Sequence, residues 1–261
     1  MPKPGQFSTD LFRLDGRVAI VTGAASGMGR RAAFGLGDAG AHIIAADVNE
    51  EGLEQTRQDL AAEGIESTTV RCDISDAALV ANMVEVAKTV TGRIDVLLNC
   101  AGIGARGVAE DYPYELFKKV IYINTRGSFL CAKAVAPTMI AQRKGSIINI
   151  SSCAAAVGWP GSVGYQASKA GLAQMSRSLG VEWGPYNVRV NSIAPGYVDT
   201  PQTRQEAALE PEYFAERLRR VPMSRAAQPE EVVGAILYLA SDASSMVTGN
   251  LIATDGGYIA S

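Results

Sequence analysis

Val18-Ala19-Ile20-Val21-Thr22-Gly23-Ala24-Ala25-Ser26-Gly27-Met28-Gly29 is the stretch whose reading decides the fold. A β-branched apolar run ends in a glycine-punctuated turn, and helical periodicity begins directly afterwards. Glycine lets a chain turn sharply off a strand and lets backbone N–H groups approach a ligand with no Cβ in the way. A helix starting there aims free N–H groups and the positive end of its dipole at the same spot, which suits a pyrophosphate. Three glycines alone are a weak signal that a tight turn also produces; the strand before and the helix after favour phosphate binding. Gly23, Ser26, Gly27, Met28 and Gly29 are the expected cradle.

The same grammar repeats along the chain. Apolar runs over 41–46, 67–70, 96–98, 146–150, 188–193 and 251–253 each end in a polar or glycine-bearing cluster. With Val18–Val21 they make seven expected strands, most of them unbroken rather than alternating, which implies burial on both faces. Helical patterns near 28–39, 50–63, 76–91, 114–141, 163–183 and 229–241 lie between them. Such alternation predicts an α/β fold: a doubly wound, Rossmann-type sheet of seven parallel strands with helices on both faces. In these sheets ligands sit beyond the carboxyl ends of the strands, where nearly every polar cluster falls. No repeat or linker interrupts residues 1–261, which read as one domain. Two segments stand outside the alternation. Residues 1–13 read as a surface arm. Residues 197–224, charged and broken by Pro201, Pro211 and Pro222, read as a substrate lid or, failing that, a surface helix pair or subunit contact.

Composition narrows the function. The 24 Lys and Arg against 27 Asp and Glu leave a net charge of −3 with no basic run, which argues against a nucleic-acid partner. The longest apolar stretch is about half of the roughly 18 residues a membrane-spanning helix requires. The N-terminal residues lack the apolar core of a signal peptide, so a cytoplasmic setting without membrane association is expected. Cys72, Cys100, Cys131 and Cys153 form no CxxC, and His42 is the single histidine. That leaves no Cys/His metal site and no His-based triad, and no metal is expected. The cysteines read as reduced core residues and His42 as structural.

Asp47 closes the second strand. A carboxylate there can accept hydrogen bonds from adenosine ribose hydroxyls and repels a 2′-phosphate. Ser26 and Val48 hold the positions where a basic residue would favour that phosphate, and Arg30 and Arg31 lie past the turn, expected to face solvent. NAD is therefore the expected cofactor. Asp73, following Cys72 at the end of the third strand, is placed to meet the adenine amino group. Either aspartate could instead be a helix N-cap.

Tyr165-Gln166-Ala167-Ser168-Lys169 opens a long helical pattern, and a spacing of four puts Tyr165 and Lys169 on one face. A free phenol titrates near pH ~10; lowering that by about 3 units requires roughly 4 kcal/mol of preference for the phenolate. A neighbouring ammonium together with a cationic nicotinamide can supply that order of stabilisation. Alone, Tyr-x-x-x-Lys is more often an exposed helix pair. Its company here is Ser151-Ser152 at the end of the fifth strand, where a hydroxyl can hold a substrate oxygen beside the phenol. Asn124 is unfavourable inside a helix, which implies a bound water, a local distortion or a plain irregularity.

With these residues in view the chain resembles the short-chain dehydrogenase/reductase family, of the single-domain type. The matches span about residues 14–259: Thr22-Gly23-x-x-x-Gly27-x-Gly29, Asn99-x-Ala101-Gly102, Asn124, Ser152, Tyr165-x-x-x-Lys169, Pro195-Gly196 and Asp255-Gly256-Gly257. The resemblance implies that Asn124, Ser152, Tyr165 and Lys169 are catalytic. Tyr165 would be the general acid/base and Ser152 would polarise the substrate carbonyl. Lys169 would hold the nicotinamide ribose and depress the phenol pKa, and Asn124 would position a relay water. It further implies that Cys72, Asp73, Asn99, Ala101 and Gly102 lie along the cofactor, with Pro195, Gly196, Val198 and Thr200 lining the nicotinamide. Cys100 departs from the family, which usually has a second Asn there.

The implied reaction is hydride transfer between the nicotinamide and a secondary alcohol or ketone, coupled to proton transfer through Tyr165. Substrate contacts are expected from Ser152, Cys153, Trp159, Tyr165 and Gly196, from the loop 104–112 and from the lid. Polar groups there (Arg106, Gln202, Arg204) mix with apolar ones (Val157, Trp159, Leu209) and name no small-molecule substrate. The resemblance favours a polyol, sugar or sugar acid. A 3-oxoacyl thioester reductase is the alternative within enzymes, although its usual NADPH preference conflicts with Asp47. A non-catalytic NAD-binding scaffold conflicts with the presence of all four reacting side chains, and a sugar-nucleotide epimerase resembles longer chains. The resemblance also implies a homotetramer, paired through the helices over 114–141 and 163–183 and the C-terminal strand with Tyr258 and Ile259.

Overall fold

Seven short runs rich in β-branched and small apolar residues pair side by side, all parallel: β1 (Val18–Thr22), β2 (His42–Asp47), β3 (Ser67–Arg71), β4 (Val96–Asn99), β5 (Gly145–Ile150), β6 (Val188–Pro195) and β7 (Leu251–Thr254). The structure is a computed structural model that describes residues 8–261. Most of the expected N-terminal arm, residues 1–7, lies outside the described residues; its remainder forms a short turn over Thr9–Phe12. The strand order is β3-β2-β1-β4-β5-β6-β7. The chain winds outward from β1 in one direction, then returns past it to β4 and winds in the other. A crevice therefore opens between the carboxyl ends of β1 and β4.

Among the described residues there are nine α-helices, most of them packed on the sheet: α1 (Gly27–Asp38), α2 (Glu50–Ala62), α3 (Ala77–Thr91), α4 (Tyr114–Ile121), α5 (Ser128–Gln142), α6 (Val163–Trp183), α7 (Pro201–Leu209), α8 (Pro211–Arg219) and α9 (Pro229–Ala240). Successive strand residues serve opposite faces. Ala19 and Val21 of β1 join Ile43, Leu98 and Ile148 under Leu36, Leu53 and Ile236 of α1, α2 and α9. Val18 and Ile20 join Ile44, Leu97 and Ile147 under Val80, Val135 and Leu179 of α3, α5 and α6. Burial on both faces is why the central strands read as unbroken apolar runs. The edge strands β3 and β7 are mostly half-buried, which is why β3 tolerates Ser67, Thr68 and Thr69. No helix among the described residues is long and apolar enough to cross a membrane.

Two segments differ from expectation. The helix expected over 114–141 is interrupted: α4 passes into a π-helical turn, Tyr122–Gly127, before α5 begins. The 197–224 segment forms a helix pair, α7 and α8, each opening on a proline. Proline fits the first helical turn because its missing N–H is unpaired there anyway. The Thr200 hydroxyl caps α7 by accepting the Thr203 N–H.

Candidate active site

The glycine turn is built by close approach. Gly23 has φ +75°, and a Cβ there would stand 2.9 Å from the Ala101 amide nitrogen across the crevice. A Cβ on Gly29 would fall 2.2 Å from the Gly23 carbonyl oxygen, so α1 can seat against β1 only without one. The Thr22 hydroxyl accepts from the Cys100 and Ala101 N–H groups at 3.1 and 3.2 Å and locks the two strand ends together. Ser26 stands at the N-cap of α1, yet its side chain makes no capping bond. The first-turn amides around Gly27 and Met28 are thus left to a ligand, the arrangement an anionic phosphate group requires.

Asp47 does not cap α2; Asn49 does, accepting from the Gly52 N–H at 3.1 Å. The Asp47 carboxylate accepts from the Ala25 N–H at 3.1 Å and from the Asn49 N–H at 3.0 Å, which holds it at the edge of the glycine turn. Beside it Val48 is 56% exposed. Asp73 likewise is no cap: Asp76 caps α3, and Asp73 accepts from the N–H and hydroxyl of Ser75. Arg31 is exposed as expected and Arg30 is half-buried, and both carry an acidic partner. Arg30 pairs with Asp59 and Arg31 with Glu230, both beside the Phe34 ring.

Beyond the crevice lies a cavity of about 240 Å³ whose wall includes Ser152, Tyr165 and Lys169. Each is placed by a different element. Ser152 lies two residues beyond the end of β5 and caps a short turn by accepting the Ala154 N–H at 3.1 Å, while its neighbour Ser151 turns inward and donates to the Lys169 carbonyl at 2.8 Å. Tyr165 and Lys169 stand one turn apart on α6, with the ammonium 5.7 Å from the centre of the phenol ring. Lys169 is 6% exposed and donates to the Ile150 carbonyl at 2.7 Å. Burial pulls the ammonium down to about 8. Burial also pushes the phenol up to about 12, with the Ser152 hydroxyl opposing and the Glu206 carboxylate adding to the rise. The protein's own groups thus leave the phenol weakly acidic, because desolvation outweighs the opposing Ser152 hydroxyl; the expected lowering also calls on the cationic nicotinamide.

Asn124 sits in the π-helical turn, fully buried. Its Oδ1 accepts the Ile103 N–H at 2.8 Å, and its Nδ2 donates to the Ile103 carbonyl and the Ser168 hydroxyl, each at 3.0 Å. The carboxamide thus fixes the loop after β4 and ties it to α6. The side chains of Asn99 and Cys72, both expected along the cofactor, turn towards the interior. Asn99 donates inward to Asn149 and Ser128, and Cys72 packs in the core under the sheet.

A family model described as enoyl-(acyl carrier protein) reductase matches residues 23–259. The chain is 40% identical over 251 residues to the 3-oxoacyl-(acyl-carrier-protein) reductase FabG of Thermotoga maritima, covering 95% of this chain and all of that one. This chain belongs to the short-chain dehydrogenase/reductase family. It is also 38% identical over 259 residues to the D-threitol dehydrogenase of Mycolicibacterium smegmatis, covering 99% of both. Among solved structures it is similar to a gluconate 5-dehydrogenase from Burkholderia cenocepacia in complex with NADP and tartrate, at TM-score 0.91 and 34% identity, covering 97% and 98% of the two chains. Like its family, this short-chain dehydrogenase/reductase is an oxidoreductase that uses a nicotinamide cofactor on a small molecule.

The substrate end of this dehydrogenase/reductase is walled by three connections. After β4 come Gly104 and Arg106, after β5 come Cys153 and Trp159, and after β6 come Gly196 and the α7–α8 pair. Pro195, Val198, Thr200, Gly102 and Met28 also line the cavity. Gly196 is required by a close approach, since a Cβ there would stand 2.8 Å from the Asp255 Cα. Trp159 is fixed by two bonds with the Gln166 carboxamide, at 3.2 and 2.6 Å. Arg204 and Leu209, expected among the substrate contacts, point away: Arg204 pairs with Asp199 at 2.6 Å and Leu209 is exposed. Sequence reasoning missed Glu206, Tyr197 and Arg217. For Arg217 a signal existed: it shares the apolar face of α8 with Tyr213, Phe214 and Leu218, a cation where the pattern calls for an apolar residue.

Proposed function

We propose that this protein is an NAD-dependent dehydrogenase acting on a secondary alcohol of a polyol, sugar or sugar acid. The reading is carried by one observation: Ser152, Tyr165 and Lys169 converge on a single cavity that abuts the glycine turn. When bound, the nicotinamide supplies the hydride acceptor, or the donor in the reverse direction. The Ser152 hydroxyl hydrogen-bonds the reacting oxygen and holds it at the phenol. Tyr165 takes the proton from that oxygen in oxidation and returns it in reduction. A phenol at about 12 gives up its proton reluctantly, so oxidation draws on added positive charge near it. The Lys169 ammonium contributes part of that charge and fixes the ribose by hydrogen bonding. Homotetramer formation, common in the family, is the assembly we infer.

Preference for NAD rests on Asp47 at the edge of the turn and on Arg30 and Arg31 being committed to Asp59 and Glu230. The Burkholderia structure holds NADP, so family membership alone does not choose. Initial rates over polyols, aldoses and sugar acids with either cofactor test the reading. Expected are a higher kcat/KM with NAD and, in Tyr165→Phe, a loss of kcat of roughly 10²–10⁴-fold with NAD binding nearly intact. A variant with wild-type kcat removes Tyr165 from the mechanism, and a higher kcat/KM with NADP overturns the argument from Asp47. Turnover of 3-oxoacyl thioesters with NADPH in place of these alcohols would favour the chemistry of the Thermotoga relative instead.

A further inference from the structure

Arg217 projects from α8 into the cavity wall and is only 4% exposed. Its surroundings are rings. The guanidinium carbon lies 3.7 Å from the Trp159 ring centre, with the Tyr213 and Tyr197 rings at 5.1 and 5.5 Å. It donates to the hydroxyl of Tyr213 and, at 3.4 Å, to that of Tyr258. Its Nε is buried and has no partner. Three nearby arginines are matched to acids: Arg106 to Glu210, Arg204 to Asp199, Arg219 to Glu216. Among the described residues none of the paired carboxylates belongs to Arg217.

A guanidinium does not lose its proton in a protein, so this is a permanent buried charge. Buried charges persist when they are paired, and ring faces compensate only part of the desolvation. The planar fork of Arg is shaped for two oxygens of one anion. We propose that Arg217 anchors a carboxylate of the substrate, so that the substrate is a polyhydroxy acid rather than a neutral polyol or sugar. The inference rests on the dehydrogenase reading above and narrows its substrate class. Cavity electrostatics set the orientation. Glu206 bears on the Tyr165 phenol and disfavours a carboxylate at the reacting end, while the Cys153 thiol lies close to both Arg217 and Tyr165. The acid group points to α8 and a carbinol remote from it meets the phenol.

The test is calorimetric titration of the NADH-loaded protein with a six-carbon aldonate and with the alditol of equal length. Wild type and Tyr165→Phe are expected to bind the aldonate at least about tenfold more tightly than the alditol, and Arg217→Met to lose about 30-fold or more for the aldonate alone. Arg217→Lys should recover part of that loss, and in turnover the defect should fall on KM for the acid, with kcat little changed. Equal losses for both ligands would make Arg217 a pillar of the aromatic cluster and overturn the proposal, as would unchanged aldonate affinity. Should Arg217→Met fail to fold, Arg217→Gln, a planar donor without charge, answers the same question. The two readings fail separately. Turnover confined to neutral polyols sinks the anchor and spares the dehydrogenase, whereas acid-selective binding without turnover does the reverse.

Discussion

Lys169 is the residue where burial and charge compete most plainly, and the competition can be read in stability. Its ammonium titrates at about 8 in the folded protein against an ordinary 10.5. Below 8 both folded and unfolded chains carry the proton, and the folded one bears the full cost of a buried charge. Between 8 and 10.5 the unfolded chain binds more protons, so stability rises with pH across that window. Tyr165 has the opposite sign: its raised value gives stability that is lost as pH climbs from 10 towards 12. Lys169→Met keeps the tyrosine and removes the lysine, so the difference between the two proteins isolates Lys169. Urea melts without added cofactor should show wild type gaining on Lys169→Met by roughly 3 kcal/mol between pH 7.5 and 10.5. A flat difference would mean that the ammonium is solvated in the free protein.

At the scale of elements, the glycine turn was fully legible and the Asn124 turn only half so. The turn shows in sequence because a missing Cβ leaves its own mark, and Gly23 and Gly29 prove to be where a side chain would strike backbone. Asn124 marked a disturbance, but helix periodicity cannot separate an α-turn from a π-turn, since one extra residue leaves the apolar spacing on either side intact. The partners of its carboxamide, Ile103 and Ser168, lie on other elements and are visible only in three dimensions. The turn that was legible can be tested directly. Gly29→Ala drives a methyl into the Gly23 carbonyl, which cannot yield without tilting α1 off β1. Overpacking of this kind costs about 1–3 kcal/mol of stability. A tilted α1 also misaims its first-turn amides, so NADH affinity should fall about tenfold or more. Denaturant melts and NADH fluorescence titration check both; unchanged NADH affinity would show that the cradle does not depend on that seat.

Across the whole molecule, the number of strands and the end of the sheet that gathers the polar clusters were legible from where those clusters end apolar runs, while the make-up of the cavity was not. The core repeats one rule, burial on both faces of a parallel sheet, so seven strands could be counted from seven runs. The cavity instead joins three connections far apart in the chain, and which side chains of the α7–α8 pair face inward depends on packing between them: Arg217 does and Arg204 does not. Those connections are tied to one another. Arg106, from the loop after β4, pairs with Glu210 between α7 and α8 at 2.8 Å and lies 3.7 Å over the Tyr213 ring. Gly107 donates to the Gly161 carbonyl at 3.1 Å and joins the same loop to the segment after β5. The α7–α8 pair contributes only Arg217 to the fully buried set, so it should open with less free energy than the sheet, and Arg106 is its main polar tether. The pair is half-exposed, so with the ring contact it is worth about 1 kcal/mol. Arg106→Ala should therefore speed amide exchange across residues 201–219 by roughly fivefold, with the exchange of β1, β4 and β5 unaltered. Equal exchange in the two proteins would show that the aromatic cluster around Arg217, and not the Arg106 tether, holds the helix pair in place.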